Sequence, residues 1–124
     1  MEPSRKPGRI LAFKYAFRGI VSAFIEEPNL KFHFFVAFVI ILAGWFFQIN
    51  KLEWTAIITI IGLVLTAELT NTSIEAVVDS FTNKEHPGAK LAKDISAGAV
   101  LIVSITATTV GLIIFLPYIL GLLT

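Results

Sequence analysis

Three long stretches of this sequence carry no charged side chain, and they restrict the possible folds more than any other feature. They cover residues 34–49, 54–67 and 95–124. A membrane-spanning helix needs about 20 mainly apolar residues, whereas about 9 to 11 would suit a strand of a membrane barrel. The first stretch, extended by the two uncharged residues before it, and the third reach the helical length. The second reaches it only if its helix continues through Glu68 and Glu75.

The overall composition also favours a membrane protein. Hydrophobic residues make up 56% of the 124 positions and charged residues 15%, against roughly 25% charged residues in an average soluble domain. A soluble domain of this size could not bury so much apolar surface, and a disordered chain would be less hydrophobic. The chain has no cysteine, which excludes disulfides and thiolate zinc sites. Its net charge of +1 gives no reason to expect a nucleic-acid partner.

The segment before the first span has the pattern of an amphipathic helix. Apolar side chains recur every three or four residues, whereas Lys14, Arg18 and Ser22 lie on another face. This pattern favours a helix over about residues 9–29 that lies in the membrane interface. A helix packed on its own bundle would show the same apolar stripe. The apolar positions are Ile10, Phe13, Phe17, Val21 and Phe24.

The basic residues predict how the chain crosses the membrane. Six precede the first span and three lie between the second and third, but only Lys51 lies between the first and second. By the positive-inside rule, the N-terminus and the loop 80–94 are cytoplasmic and the C-terminus faces outward. The two cytoplasmic groups are Arg5, Lys6, Arg9, Lys14, Arg18 and Lys31, and then Lys84, Lys90 and Lys93.

Together these patterns predict an all-α, multi-pass integral membrane protein with a single domain over residues 1–124. An N-terminal interfacial helix precedes three transmembrane helices, which we expect over about residues 32–49, 54–79 and 95–122. Trp45 and Trp54 flank the turn between the first two spans, where they fit an aromatic belt at the outer interface.

The second span carries ionisable residues that membrane helices rarely contain. With about 100° between successive helical residues, most polar side chains between positions 68 and 79 fall on one stripe. Counted from Trp54 at about 1.5 Å per residue, this stripe runs from the hydrocarbon core to its cytoplasmic edge. The stripe consists of Glu68, Asn71, Thr72, Glu75 and Asp79.

Polar side chains in membranes can simply join helices by hydrogen bonds. Three carboxylates on one stripe instead favour a functional site. Inserting each of them into the centre of a membrane costs about 2.5–3.5 kcal/mol even on the lenient insertion scale, so ionisable residues in membrane helices usually serve a function. Because the stripe runs from the hydrocarbon core to its cytoplasmic edge, it suits a reaction between a lipid head group and a water-soluble reagent. A small ion channel or an accessory membrane subunit is the alternative, but residues 55–67 are too apolar to line the outer half of an ion path.

Further candidate residues lie at the same cytoplasmic level. Glu27 is well placed to meet Glu75, and two carboxylates suit Mg²⁺, although Glu27 also fits an ordinary interfacial charge. The lysines of the loop 84–94 would either hold polyphosphate or only supply the positive-inside bias. His33 and His86 are too few and too far apart to indicate zinc.

Read together, these residues resemble one family, the small trimeric prokaryotic membrane kinases that comprise diacylglycerol kinase and undecaprenol kinase. The resemblance extends from about Arg9 onward. The helix pattern E-x-x-N-x-x-x-E-x-x-x-D followed by A-K-x-x-K-D is highly specific in so short a chain. The matching stretches are residues 18–19, 25–27, 68–79, 89–94 and 97–100.

The resemblance implies a lipid kinase in the bacterial plasma (inner) membrane, with its active site in the cytoplasm. It implies that Glu68 is the general base, that Asn71 is its hydrogen-bonding companion, and that Glu27 and Glu75 bind Mg²⁺. It further implies a trimeric helical bundle, a homotrimer whose active sites are shared between subunits. The expected contacts to ATP are Tyr15, Glu27, Glu75, Lys84, Glu85, His86, Lys93 and Asp94.

The acceptor that the resemblance implies is a membrane lipid alcohol, undecaprenol or diacylglycerol. Residues 29–33, the turn at 84–87 and the ending at 111–117 look more like the undecaprenol kinase branch. Pro28 departs from the pattern, because a basic residue is expected there, and this affects the expected geometry of the local loop.

Overall fold

The computed structural model describes residues 8–124, in which four α-helices follow one another along the chain. They are α1 (Arg9–Glu26), α2 (Pro28–Phe47), α3 (Lys51–Phe81) and α4 (Pro87–Leu122). This range contains no β-strand, which confirms the all-α prediction for it. Arg5 and Lys6, which contributed to the predicted orientation, lie outside the described residues.

A single residue, Glu27, separates α1 from α2. Its backbone is extended (φ −106°, ψ 110°), because the proline ring of Pro28 disfavours a helical conformation in the residue before it. Pro28 itself is suited to the first turn of α2, where no intrahelical N–H bond is needed. The unexpected proline thus ends one helix and begins the next, and it leaves Glu27 at the corner between them.

The turn between α2 and α3 is held by local hydrogen bonds. Gln48 adopts a left-handed conformation (φ 51°, ψ 52°) that ends α2. Asn50 then caps α3: its Oδ1 accepts from the amide of Glu53 at 2.8 Å, and a Glu53 carboxylate oxygen accepts from the amide of Asn50 at 3.1 Å. The hydroxyl of Tyr118 donates to the same Glu53 oxygen at 2.6 Å, which ties the end of α4 to this turn.

The helices α2, α3 and α4 are each long and apolar enough to span a membrane. At about 1.5 Å per residue, α3 is about 46 Å long, so it exceeds a hydrocarbon core of about 30 Å. The main packing is between α3 and α4, and α2 also packs on α3. Many large apolar side chains are exposed on the single chain, as expected for a membrane protein. A cluster of buried apolar residues near the α2–α3 turn forms the core and consists of Ile49, Ile57, Ile114 and Phe115; Leu30, Ile60 and Val64 are also buried.

Candidate functional site

Three polar side chains are buried in the described part of the chain, and they lie away from the apolar core. Glu68 is 3% exposed, Asn71 8% and Ser96 7%. Glu68 and Asn71 belong to the predicted stripe of α3, and Ser96 reaches them from α4. Because a buried polar group needs a partner to offset its lost hydration, their contacts define the site.

Asn71 lies in a short chain of hydrogen bonds that joins two helices. The hydroxyl of Ser96 donates to its Oδ1 at 2.7 Å. Its Nδ2 donates to a carboxylate oxygen of Glu75, one turn further along α3, at 3.4 Å. The amide is therefore oriented with its donor group toward Glu75 and its acceptor toward α4. The family resemblance implies that Asn71 is the hydrogen-bonding companion of Glu68, but its partners in this structure are Ser96 and Glu75.

The carboxylate of Glu68 faces α2. Its Oε2 lies 3.6 Å from Nε2 of His33, a side chain that is itself only 18% exposed. The charges of Glu75 and Glu27 also lie near enough to act on Glu68. Three of the predicted site carboxylates thus share one electrostatic neighbourhood within a single chain.

Glu27 and Glu75 are the two carboxylates that the resemblance implies as Mg²⁺ ligands. Within residues 8–124 there is no group of three or more histidine, cysteine and acidic side chains arranged to hold a metal. Mg²⁺ needs no such group, because it usually binds one or two carboxylates together with substrate phosphates and water. Glu27 is half-buried at the helix corner and Glu75 half-buried on α3, and their carboxylate oxygens are donors of the kind that Mg²⁺ takes.

Lys93 and Asp94, two of the predicted contacts to the nucleotide, are each paired with an oppositely charged side chain in this structure. Nζ of Lys93 donates to Oδ1 of Asp79 at 2.9 Å, which links α4 to α3 beyond the buried cluster. Nζ of Lys90 donates to Oδ2 of Asp94 at 2.7 Å along the surface of α4. Both pairs are substantially exposed, so incoming phosphate groups can compete for these lysines.

The remaining predicted contacts to ATP lie on the surface. Lys84 and Glu85 are exposed in the connection between α3 and α4, and Tyr15 is 51% exposed on α1. His86 caps α4, because its Nδ1 accepts from the amides of Gly88 and Ala89 at 3.1 and 3.2 Å. The structure does not bring these four side chains into contact with the buried cluster, and their role stays a prediction.

Two residues of the cluster, Ser96 and His33, were not predicted as site residues from the sequence. Ser96 follows Lys93 by three positions and is one of few polar residues in an apolar helix, which is a weak signal of a buried contact. His33 was judged unsuited to zinc and was part of the resemblance over residues 29–33, but no contact with Glu68 was predicted for it. Its contact with Glu68 depends on how α2 packs against α3, and the spacing of residues along one helix carries no such information.

A mainly apolar cavity of about 530 Å³ adjoins the cluster between α2, α3 and α4. His33 lines it at the end nearest Glu68, and Phe47 and Ile119 line it toward the apolar core. Glu68 does not line the cavity itself, but His33 does and contacts its carboxylate. The cavity is therefore a hydrophobic space one side chain away from a buried carboxylate, an arrangement suited to an amphiphilic molecule with one reactive polar end.

Comparisons with known proteins agree with the motifs. The sequence model of the prokaryotic diacylglycerol kinase family matches residues 14–115. The chain is 41% identical to undecaprenol kinase of Bacillus subtilis over 106 residues, 86% of each chain. It is 35% identical to diacylglycerol kinase of Synechocystis over 118 residues, 94% of this chain and 67% of that one. Identity to diacylglycerol kinase of Escherichia coli K12 is 29% over 98 residues, 79% of this chain and 80% of that one.

Proposed function

The chain belongs to the prokaryotic diacylglycerol kinase family and is a lipid kinase, as its motifs predict, and we propose that it phosphorylates undecaprenol with ATP. Its higher identity to the relative named undecaprenol kinase than to the two named diacylglycerol kinases supports this acceptor. Diacylglycerol is the second candidate, because several relatives carry that name.

The observation that carries the proposal is the buried carboxylate of Glu68, which is in contact with His33 at the edge of the apolar cavity. In our proposal Glu68 takes the proton from the lipid hydroxyl while the hydroxyl oxygen attacks the γ-phosphorus of ATP and the bond to ADP breaks. Asn71 holds Glu75 in place through the hydrogen bond from its Nδ2. Little other covalent chemistry is required, because phosphoryl transfer depends mainly on positioning and on neutralising charge.

The nucleotide is proposed to lie at the polar end of α3 and α4. Lys93 and Lys84 would face its phosphates, and Asp94, Glu85, His86 and Tyr15 would complete its contacts. The exposure of the Lys93–Asp79 pair supports this placement, because phosphate can replace Asp79 as the partner of Lys93. Glu27 and Glu75 would hold Mg²⁺, which neutralises phosphate charge when bound.

The proposed setting is the bacterial plasma membrane, with the N-terminus and the site on the cytoplasmic side and residues 1–124 forming one kinase domain. We propose that α1 lies in the membrane interface, which is supported by exposed apolar side chains such as Ile10, Phe13 and Phe17. We also propose a homotrimer with shared sites. Where a shared site takes Glu27 from one subunit and Glu75 from another, trimers that mix Glu27→Gln and Glu75→Gln subunits should regain activity that neither variant has alone; where both come from one chain, they should not.

The decisive assay uses the purified chain in lipid vesicles with MgATP labelled at the γ-phosphate. Undecaprenol and diacylglycerol compete in the same vesicles, and the label in each product is measured. Preferential labelling of undecaprenol supports the proposal, and preferential labelling of diacylglycerol replaces it with the second candidate. Label in neither lipid would contradict both acceptors.

A further inference from the structure

His33 contacts Glu68 but is not part of the two motifs that identify the family. This contact bears on one step of the proposed reaction, the release of the proton that Glu68 takes up. Because Glu68 takes a proton from each lipid hydroxyl, it must release that proton before the next turnover. Its carboxylate is only 4% exposed, so direct return of the proton to water is hindered. The structure places Nε2 of the His33 imidazole 3.6 Å from this carboxylate.

We propose that His33 is a positioning residue for Glu68 and accepts its proton after phosphoryl transfer. This inference rests on the proposed role of Glu68 as the base. The O–H bond of protonated Glu68 breaks, a new N–H bond forms at Nε2 of His33, and the carboxylate is restored. The resulting imidazolium then loses its proton to water. The net reaction of one turnover is that of any kinase: lipid alcohol and ATP give lipid phosphate, ADP and one proton.

Two features of the site support this role. The side chain of His33 is 18% exposed and that of Glu68 4%, so the imidazole is the more accessible of the two groups. The ring also lines the apolar cavity, so the imidazole contacts both the cavity and the buried carboxylate.

The separation of 3.6 Å is longer than a direct hydrogen bond. Catalytic contacts are often long in the absence of substrate and tighten in the reacting complex, and one bridging water also carries a proton over this distance. A purely structural role is the competing explanation, because the ring packs edge-on against Phe32 with 5.8 Å between ring centroids.

The test compares His33→Gln and His33→Ala with the parent chain in vesicles, using whichever lipid alcohol the parent phosphorylates. We expect His33→Gln to lower kcat about 100-fold while the KM values for lipid and MgATP change less than about twofold. Imidazole added to His33→Ala should restore activity about tenfold, because it can occupy the vacated space and accept the proton. Pyrazole has the same shape but is a far weaker base, and it should restore nothing.

A second measurement separates this proposal from the proposed role of Glu68. In a Glu68→Gln background, His33→Gln should cause no further loss and imidazole should restore nothing, because the two residues act in series. A kcat of His33→Gln within about threefold of the parent would overturn the proposal. So would equal restoration by pyrazole and imidazole, or restoration by neither. An inactive parent, by contrast, would contradict the proposed function itself.

Discussion

The hydroxyl of Ser96 donates a buried hydrogen bond to Oδ1 of Asn71 at 2.7 Å, and this bond joins α4 to α3 in the middle of the site. It determines which side of the Asn71 amide faces Glu75, whose carboxylate accepts from Nδ2 at 3.4 Å. A residue outside the family motif thus orients a residue within it.

Replacement of Ser96 by alanine should therefore weaken both the fold and catalysis. The buried Oδ1 of Asn71 loses its donor, and we expect the free energy of unfolding in detergent to fall by about 1 kcal/mol. We expect kcat to fall as well, because the amide can rotate away from Glu75. Ser80→Ala is the matched control, since the Ser80 hydroxyl is exposed and bonds only to Ala76 O in its own helix. Equal effects of the two variants would contradict this role of Ser96.

Glu68→Gln tests the proposed base with the smallest change of shape. The amide cannot accept the proton of the lipid hydroxyl, so we expect kcat to fall at least about 100-fold while binding of MgATP is retained. Turnover is measured by transfer of the labelled phosphate and nucleotide binding by equilibrium dialysis. A variant that retains turnover would remove Glu68 as the base.

Glu27→Gln tests the proposed Mg²⁺ ligand, and Glu26→Gln is the control. We expect the Mg²⁺ concentration that gives half-maximal velocity to rise about tenfold or more, because a neutral amide is a weaker ligand for a hard cation than a carboxylate. Glu26→Gln removes an exposed carboxylate from the end of α1 and should leave this concentration unchanged. If Glu26→Gln shifts the Mg²⁺ dependence equally, the effect comes from general surface charge.

Lys93→Gln tests the proposed contact between α4 and the phosphates of ATP. We expect KM for MgATP to rise about tenfold or more, since a charged hydrogen bond to phosphate is lost, while KM for the lipid stays within about twofold. Lys51→Gln is the matched control. Lys51 begins α3, and it therefore lies at the opposite end of that helix from Asp79, the partner of Lys93. An unchanged KM for MgATP in Lys93→Gln would place the nucleotide elsewhere.

The helices and much of the site were predictable from the sequence because both depend on local periodicity. The apolar stretches predicted helices that could span a membrane, and the stripe on α3 predicted that Glu68, Asn71 and Glu75 share one helix face. Asn71 bonds to Glu75 in the structure and not to Glu68, the partner that the resemblance implied. These features need only the geometry of one helix. The predicted interfacial position of α1 and the trimer depend on a bilayer and on further subunits, so they stay proposals.

The contacts of His33 and Ser96 were not predictable in this way. Each joins two helices, and the pairing depends on the crossing angle and relative shift of those helices, which periodicity within one helix does not determine. His86 shows a further limit. A histidine before Pro87 was expected to contact the nucleotide, and the structure shows that its Nδ1 caps α4, a role that the spacing of charged residues did not indicate.

The last prediction concerns the packing that holds the spans together away from the site. Gly44 on α2 is buried against the indole of Trp54 on α3, and a Cβ at position 44 would lie 2.6 Å from a ring carbon. Gly44→Ala should therefore force the ring aside and lower the free energy of unfolding by about 1–3 kcal/mol. Gly62→Ala is the matched control: a Cβ there meets nothing within 4 Å, and alanine favours a helix by up to about 1 kcal/mol. Unfolding in detergent, followed by tryptophan fluorescence, should separate the two variants, and equal stabilities would contradict the close contact of Gly44 with Trp54.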